Sequence, residues 1–131
     1  NFSYRSSGIS KNYFIVAVKL KIGIGNEKII KKKIKQFLDI RKKTQPIKTL
    51  TGGSTFINPK KKKAWILIKK SGCEDMEVGG AKISEKHCNF LVNTGNATSK
   101  DLENLGNKIK FKVYKHTGIK LNWEIKRIGS R

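Results

Sequence analysis

The stretch Thr51–Pro59 holds the residues best suited to chemistry in this sequence. Gly52 and Gly53 precede Ser54, and Asn58 follows four residues after the serine. Paired glycines permit a tight backbone with positive φ, which can bring N–H donors close to a small polar group. The serine hydroxyl could deliver a proton to an acceptor held within hydrogen-bond reach. A Gly-Gly turn with a solvated serine is the competing interpretation.

Positive charge dominates the composition of the chain. Its 131 residues include 30 Lys and Arg against nine Asp and Glu, for a net charge of +21. Such an excess attracts nucleic acid and other polyanions, here through the lysines of Lys31–Lys35 and Lys60–Lys63. Only four of the basic residues are Arg, although the guanidinium is the usual reader of phosphates and bases. We therefore expect no specific nucleic-acid partner, and keep non-specific polyanion binding as the alternative function.

The sequence contains no pattern typical of a metal site or of a membrane-spanning segment. Cys73 and Cys88 form no C-x-x-C pair and fit no zinc pattern, so we expect two buried free thiols and no metal. No signal peptide or apolar run of transmembrane length is visible. We expect a cytoplasmic protein without a membrane partner. Because Asn1 rather than Met comes first, we also expect a piece of a longer protein.

Hydrophobic spacing predicts the elements that position these residues. A strand with one covered face is predicted over Tyr13–Ile22, followed by a helix from Glu27 to about Lys43. Residues 46–50 then link to a second unit. A short helix is predicted over Ala64–Lys70, and a longer one from Thr98 to Gly118. Three further strands are predicted, over Met76–Val78, Cys88–Val92 and Ile119–Ile128. Strands interleaved with helices indicate an α+β domain.

Seven stretches resemble one enzyme family in their order and spacing. They are Tyr4–Ser7, Arg41 with Thr44–Pro46, Gly52–Phe56 with Asn58–Pro59, Gly79–Ala81 with Ser84–His87, Asn89–Phe90, Asn93–Thr98, and Trp123–Ile125 with Arg127–Gly129. Together they resemble the C-terminal half of the UDP-N-acetylenolpyruvoylglucosamine reductases, which are flavin enzymes of peptidoglycan precursor synthesis.

The resemblance implies an oxidoreductase reaction and a set of residues for it. In the family, NADPH reduces FAD, and hydride then passes to the enolpyruvyl ether of the UDP-sugar substrate, UDP-N-acetylglucosamine enolpyruvate. Ser54 matches the family's proton donor, Glu124 its C-terminal glutamate, and Arg5 the arginine of its Tyr-Arg-x-Ser motif. A guanidinium fork and a protonated carboxyl group can both stabilise the enolate that forms.

The same resemblance gives three candidate substrate contacts. Asn58 matches the family's substrate-binding asparagine, and Tyr4 and Arg41 are further candidates for contact with the substrate or the flavin. Each assignment has a plainer alternative: Arg5 could be a surface arginine, Glu124 a cross-strand partner of a lysine, and Asn58 a turn former.

The resemblance also divides the chain. It implies a small antiparallel sheet packed with helices over residues 47–118, the substrate-binding domain. Residues 1–46 would be a remnant strand and helix of the FAD-binding domain, and residues 119–131 a strand that returns to the N-terminal region. The family's glycine-rich loops for the FAD pyrophosphate are not in this sequence, so no cofactor-binding residue is predicted. The expected partner is the missing N-terminal half, and without it we expect no turnover.

Overall fold

The chain folds around a four-stranded antiparallel sheet flanked by helices. The computed structural model describes residues 2–3, 7–10 and 12–129. Their elements are α1 (Glu27–Thr44), β1 (Leu50–Ser54), α2 (Ala64–Lys70), β2 (Glu77–Val78), β3 (Ala81–Ser84), β4 (His87–Asn93) and α3 (Ser99–Thr117). The strand order is β1-β4-β3-β2, and every neighbouring pair is antiparallel. The predicted α+β class, with a small antiparallel sheet, is confirmed.

The core lies between the sheet and the two helices α2 and α3. Leu105, Ile109 and Val113 recur at helical spacing on α3 and are completely buried. They pack in one cluster with Ile68 of α2 and Leu91 of β4. This cluster holds the sheet in the position from which its edge strand β1 presents Ser54.

The predicted ends of the two core helices are confirmed. Thr98 accepts a hydrogen bond from Asp101 N at 3.1 Å, and the Asp101 carboxylate accepts one from Thr98 N at 2.9 Å. This capping box satisfies backbone donors at the start of α3, and its hydrogen bonds from Thr98 lower the pKa of Asp101. Gly72 after α2 and Gly118 after α3 have φ of 64° and 69°, the left-handed conformation that ends helices.

The predicted strand over Tyr13–Ile22 is wrong. No residue between 12 and 26 is in a strand, and side chains such as Val16 and Ile22 are exposed. A strand requires a neighbour to satisfy its backbone N–H and C=O groups, and the part of the chain that the structure describes places none beside this segment. The alternating pattern therefore indicates that this segment has a high strand propensity, but no described strand pairs with it.

The predicted helix after that segment is confirmed as α1, with Asn26 as its N-cap. Its apolar side chains, however, are exposed, and none of its residues is buried. Ile34 and Phe37, for example, are 52% and 69% exposed. α1 thus presents an apolar face that the described residues do not cover. None of the described helices is both long and apolar enough to span a membrane.

Two strands of the sheet and the C-terminal segment also differ from the predictions. β1 and β3 were not predicted, because β1 contains two glycines and β3 only four residues. The predicted closing strand Ile119–Ile128 is wrong as a full strand: it forms a single antiparallel bridge, between Trp123 and Phe56. The two thiols, Cys73 and Cys88, are free and buried as predicted.

Candidate functional site

Ser54 ends the edge strand β1 at an irregularity made by the two glycines. Thr51 pairs with Val92 of β4, whereas Ser54, three residues on, pairs with Phe90, two residues back. One extra residue on β1 therefore forms a β-bulge, which re-aims the chain. Gly53 has a φ of 90°, where a side chain would be strained. The predicted positive-φ glycine before the serine is confirmed.

Asn89 holds the chain that follows Ser54. Its side-chain oxygen accepts from Phe56 N at 3.0 Å, and its amide nitrogen donates to Phe56 O at 2.8 Å. Thr55 N donates to the Asn89 carbonyl at 2.7 Å. Thr55, Phe56 and Asn89 are all at least 95% buried. The Asn89 side chain thus makes the two hydrogen bonds that a neighbouring strand would otherwise make with Phe56. It satisfies the buried N–H and C=O groups of Phe56, which water does not reach.

The C-terminal segment pairs with the other side of this chain. Glu124 N donates to Thr55 O at 2.9 Å, and Ile57 N donates to Asn122 O at 2.9 Å. Glu124 therefore lies on a backbone segment hydrogen-bonded to the residue directly after Ser54. Two of the three predicted catalytic residues, far apart in sequence, are brought onto adjacent segments by this pairing.

Asn58 has a clear structural role in the fold. Its side-chain oxygen accepts from Ala64 N at 2.9 Å, at the start of α2, where Lys63 provides no side-chain cap. The bond closes the lysine-rich loop Lys60–Lys63 and satisfies one of the helix's unpaired N–H groups. The turn-forming alternative for this asparagine is therefore present in the structure, on the strand extension that leads away from Ser54.

Of the three other predicted residues, the structure describes only Arg41, which is not assembled with Ser54 and Glu124. Arg41 lies in the last turn of α1, exposed, and its Nε donates to Gln45 Oε1 at 3.1 Å. The guanidinium group of Arg41 therefore bonds to the C-cap residue of its own helix. Tyr4 and Arg5 lie outside the described residues.

A cavity of about 430 Å³ adjoins the paired segments. Gly52 of β1 and Ile125 of the C-terminal segment line it, and a Cβ atom on Gly52 would lie 3.2 Å from Ile125 Cδ1. Trp123 and Leu102 form part of its apolar wall. The residues that flank Ser54 and Glu124 in sequence therefore pack closely against one another around this cavity.

The glycine pair Gly79–Gly80 does not fit the pyrophosphate of FAD. A Cβ atom on Gly79 would lie 2.7–2.8 Å from the Asp101 carboxyl group, and one on Gly80 would overlap Asn96 Oδ1. The space is filled by protein, and a carboxylate stands at the adjacent N-terminus of α3, where a phosphate group would be repelled. These glycines serve internal packing rather than cofactor binding.

His87 lies on β4 in an aromatic cluster. Its ring is 4.9 Å from the Phe90 ring, edge to face, and 6.2 Å from Trp65. Nδ1 accepts a hydrogen bond from Asn89 N at 3.2 Å, so the neutral ring also supports the asparagine that holds Phe56. Burial lowers the pKa of His87 from its ordinary 6.5, because the charged form loses hydration.

Acidification is therefore expected to destabilise the chain through His87. Below pH 6.5 the unfolded chain binds a proton that the folded state resists, so the free energy of unfolding falls until the pH passes below the folded-state pKa. Urea unfolding at about pH 7.5 and about pH 5.5 measures the loss, and a His87→Gln variant should show a smaller one. Substituting the exposed His116 the same way is the control. Equal losses in the parent chain and in His87→Gln would contradict the assignment.

Sequence reasoning missed the role of Asn89. The available signal was a polar amide within the otherwise apolar run Cys88–Val92, since a buried amide must find partners. It also missed how Trp123 is held. A tryptophan directly before a candidate catalytic glutamate was visible, but its partners on other elements were not.

Comparison with known proteins agrees with this fold. Residues 45–128 match the family described as UDP-N-acetylenolpyruvoylglucosamine reductase, C-terminal domain. A reductase of that name from Rickettsia prowazekii is 49% identical over 128 residues, which is 98% of this chain and 43% of that protein. One from Rickettsia rickettsii is 50% identical over the same shares. The crystal structure of the Thermus caldophilus reductase has a TM-score of 0.65 at 31% identity, over 81% of this chain and 38% of that one.

These matches and the fold define the class: the chain is a C-terminal reductase domain. It belongs to the family of UDP-N-acetylenolpyruvoylglucosamine reductase C-terminal domains, so the resemblance seen in the sequence is confirmed. The chain spans 43% of the length of the Rickettsia prowazekii relative.

Proposed function

We propose that this chain is the substrate-binding and proton-donating part of a UDP-N-acetylenolpyruvoylglucosamine reductase. Such an enzyme is an NADPH- and FAD-dependent oxidoreductase of peptidoglycan precursor synthesis, acting in the cytoplasm. The observation that carries the proposal is the hydrogen bond between Glu124 N and Thr55 O, 2.9 Å long. It sets the backbone of Glu124 beside Thr55, the residue directly after the candidate serine, in a chain of this family.

The proposed chemistry assigns each residue a separate task. The product needs one proton at the carbon that bears the ether oxygen, and the Ser54 hydroxyl donates it. This hydroxyl makes no hydrogen bond to the described residues, so the fold does not commit its proton elsewhere. Arg5, and Glu124 in its protonated form, stabilise the negative charge that develops on the substrate's carboxylate. Asn58, Tyr4 and Arg41 contact the UDP-sugar.

The proposal places the cofactors on a different part of the enzyme. FAD and NADPH supply the hydride when bound, and the Gly79–Gly80 pair of this chain is packed against its own residues. We assign both cofactors to the N-terminal portion that the longer relatives contain. In this division, residues 47–118 form the substrate domain, and residues 1–46 and 119–131 meet that portion.

The uncovered apolar surface supports an N-terminal partner. Phe14 and Val16 are each 96% exposed, and Phe37 on α1 is 69% exposed. Large apolar side chains exposed to this extent favour an interaction site on these two stretches. A strand-forming segment without a neighbour, together with a helix without a covered face, would be completed by a sheet edge and a core supplied by the partner.

A fluorescence titration tests the substrate assignment on the isolated chain. UDP-N-acetylglucosamine enolpyruvate is added while the emission of Trp65 and Trp123 is recorded, at about 10 mM and about 150 mM salt. We expect saturable binding that persists at the higher salt and weakens in Asn58→Ala. Lys61→Ala, in the same loop but without the capping bond, is the matched control and should bind nearly as the parent does.

The same titration also tests the alternative function, non-specific binding of polyanions. The exposed lysines of Lys60–Lys63 and Lys31–Lys35 favour that alternative. Quenching that heparin or single-stranded DNA reproduces, and that the higher salt abolishes, is the signature of counterion release. That outcome would contradict a surviving substrate site.

A chimera tests the proposed activity directly. This chain replaces the segment of the Rickettsia prowazekii reductase that it matches, to which it is 49% identical over 128 residues. We expect the chimera to oxidise NADPH in a substrate-dependent manner, and the isolated chain supplied with FAD to show no turnover. A folded chimera that binds the UDP-sugar without turnover would contradict the proposed function.

A further inference from the structure

Trp123 is the centre of the contacts that fasten the C-terminal segment to α3. Its ring lies 5.1 Å from the Phe56 ring, at an interplanar angle of 45°. Two cations lie over the indole: Arg127 Cζ is 5.1 Å and Lys110 Nζ is 5.8 Å from the ring centroid. Arg127 also pairs with Glu103 of α3 at 3.3 Å. The indole is thus held by an aromatic ring, two cations and, through Arg127, a carboxylate.

Gly106 provides the space in which the indole lies. A Cβ atom on this glycine would overlap Trp123 Cη2 and would lie 2.8 Å from Cζ2 and Cζ3. Gly106 is buried in the interior of α3, a position where alanine is the better helix former. The fold therefore gives up helix propensity at this turn, and the six-membered ring of the indole occupies the notch that results.

The indole is coupled to Glu124 through the backbone. Trp123 and Phe56 form the antiparallel pair that is flanked by the hydrogen bonds from Glu124 N to Thr55 O and from Ile57 N to Asn122 O. Side chains of such non-hydrogen-bonded pairs lie close together. An indole pushed out of its notch must shift the segment, and with it the bond that holds Glu124 beside Thr55.

We propose that Trp123 is a positioning residue for Glu124, and that it acts through its place against Gly106. The proposal rests on the reaction proposed above, in which Glu124 stabilises developing charge. A catalytic group displaced by about 1 Å can lose about 100-fold in rate. The notch at Gly106, on a helix remote in sequence from both Ser54 and Glu124, therefore sets the geometry of the reaction.

Three variants separate positioning from folding. Gly106→Ala pushes the indole out, whereas Gly106→Ala combined with Trp123→Phe restores room, because a phenyl ring is shorter than an indole. Asn107→Ala, on the exposed side of the same turn, is the control for helix propensity. Amide hydrogen exchange at Glu124 and Ile57 is measured in the isolated chain, and kcat and KM are measured in the chimera.

We expect Gly106→Ala to accelerate exchange at Glu124 and Ile57 and to lower kcat by at least about tenfold, with KM within about twofold. The double variant should recover most of both losses, and Asn107→Ala should match the parent. Unchanged exchange at both amides in Gly106→Ala overturns the proposal, whether or not the chimera is active. A double variant as impaired as Gly106→Ala alone also overturns it. An inactive parent chimera instead contradicts the proposed function, and the exchange measurements still decide the positioning.

Discussion

A Ser54→Ala substitution in the chimera is expected to lower turnover by about 1,000-fold, the middle of the range for loss of a general acid. Ser54 stands at the end of β1, behind a bulge that fixes its backbone. Removal of the hydroxyl takes away the proposed proton donor and leaves Gly53 and the pairing with Phe90 intact. The substrate dissociation constant should therefore stay within about twofold.

The measurement is substrate-dependent NADPH oxidation at saturating substrate, together with a binding titration on the same sample. Ser99→Ala, an equal change at the exposed start of α3, should leave both values unchanged. Turnover above about a tenth of the parent's in Ser54→Ala would show that the proton comes from another group.

The second large effect is expected for stability. Asn89→Ala removes the two side-chain bonds to Phe56 and leaves its N–H and C=O buried without partners. Each unsatisfied buried group costs about 1–3 kcal/mol, so the free energy of unfolding should fall by about 4 kcal/mol. This is a large part of the stability of a small domain.

Urea unfolding of the isolated chain measures this loss. Asn122→Ala is the matched control, because Asn122 is exposed and joins the same pairing only through its backbone carbonyl. We expect the control to change stability by less than about 0.5 kcal/mol. A similar small change in Asn89→Ala would mean that water satisfies Phe56, and that the amide is not required.

Local chemistry explains which elements the sequence predicted. α3 combines apolar residues at helical spacing with the Thr98–Asp101 capping box and a C-terminal glycine, so all its signals agree. Ala64–Lys70 was predicted for similar reasons, with Gly72 following the C-cap residue Ser71. Such helices can be predicted from local sequence, because the apolar spacing and the capping residues that define them lie within one short stretch of the chain.

Strands, which depend on distant partners, were predicted unevenly. The predictions over Met76–Val78 and Cys88–Val92 are confirmed as β2 and β4, with each end within one residue. β1 has two glycines and little strand propensity, and it exists because β4 pairs with it. Tyr13–Ile22 has strong strand propensity and forms no strand, since no described strand lies beside it. Strand formation depends on neighbours more than on intrinsic preference.

The candidate site also combines features that the local sequence reveals with features that depend on distant partners. Glu124 and Ser54 became candidates through motifs of the family, but the pairing of their segments depends on a backbone bond between Glu124 and Thr55, about 70 residues apart in the sequence. Gly106 costs helix propensity within α3, and only its contact with the indole of Trp123 explains the glycine. A residue that acts only by leaving space gives no chemical signal of its own.

The bulge in β1 also protects the sheet from other molecules. β1 is an outer strand of the sheet, and unpaired outer strands invite edge-to-edge aggregation between copies of a protein. The extra residue twists the strand away from a flat template, and Ile125 packs beside Gly52. The distortion that redirects the chain before Ser54 thus also works against fibril-like association, so replacing the glycines to regularise the strand is expected to lower solubility.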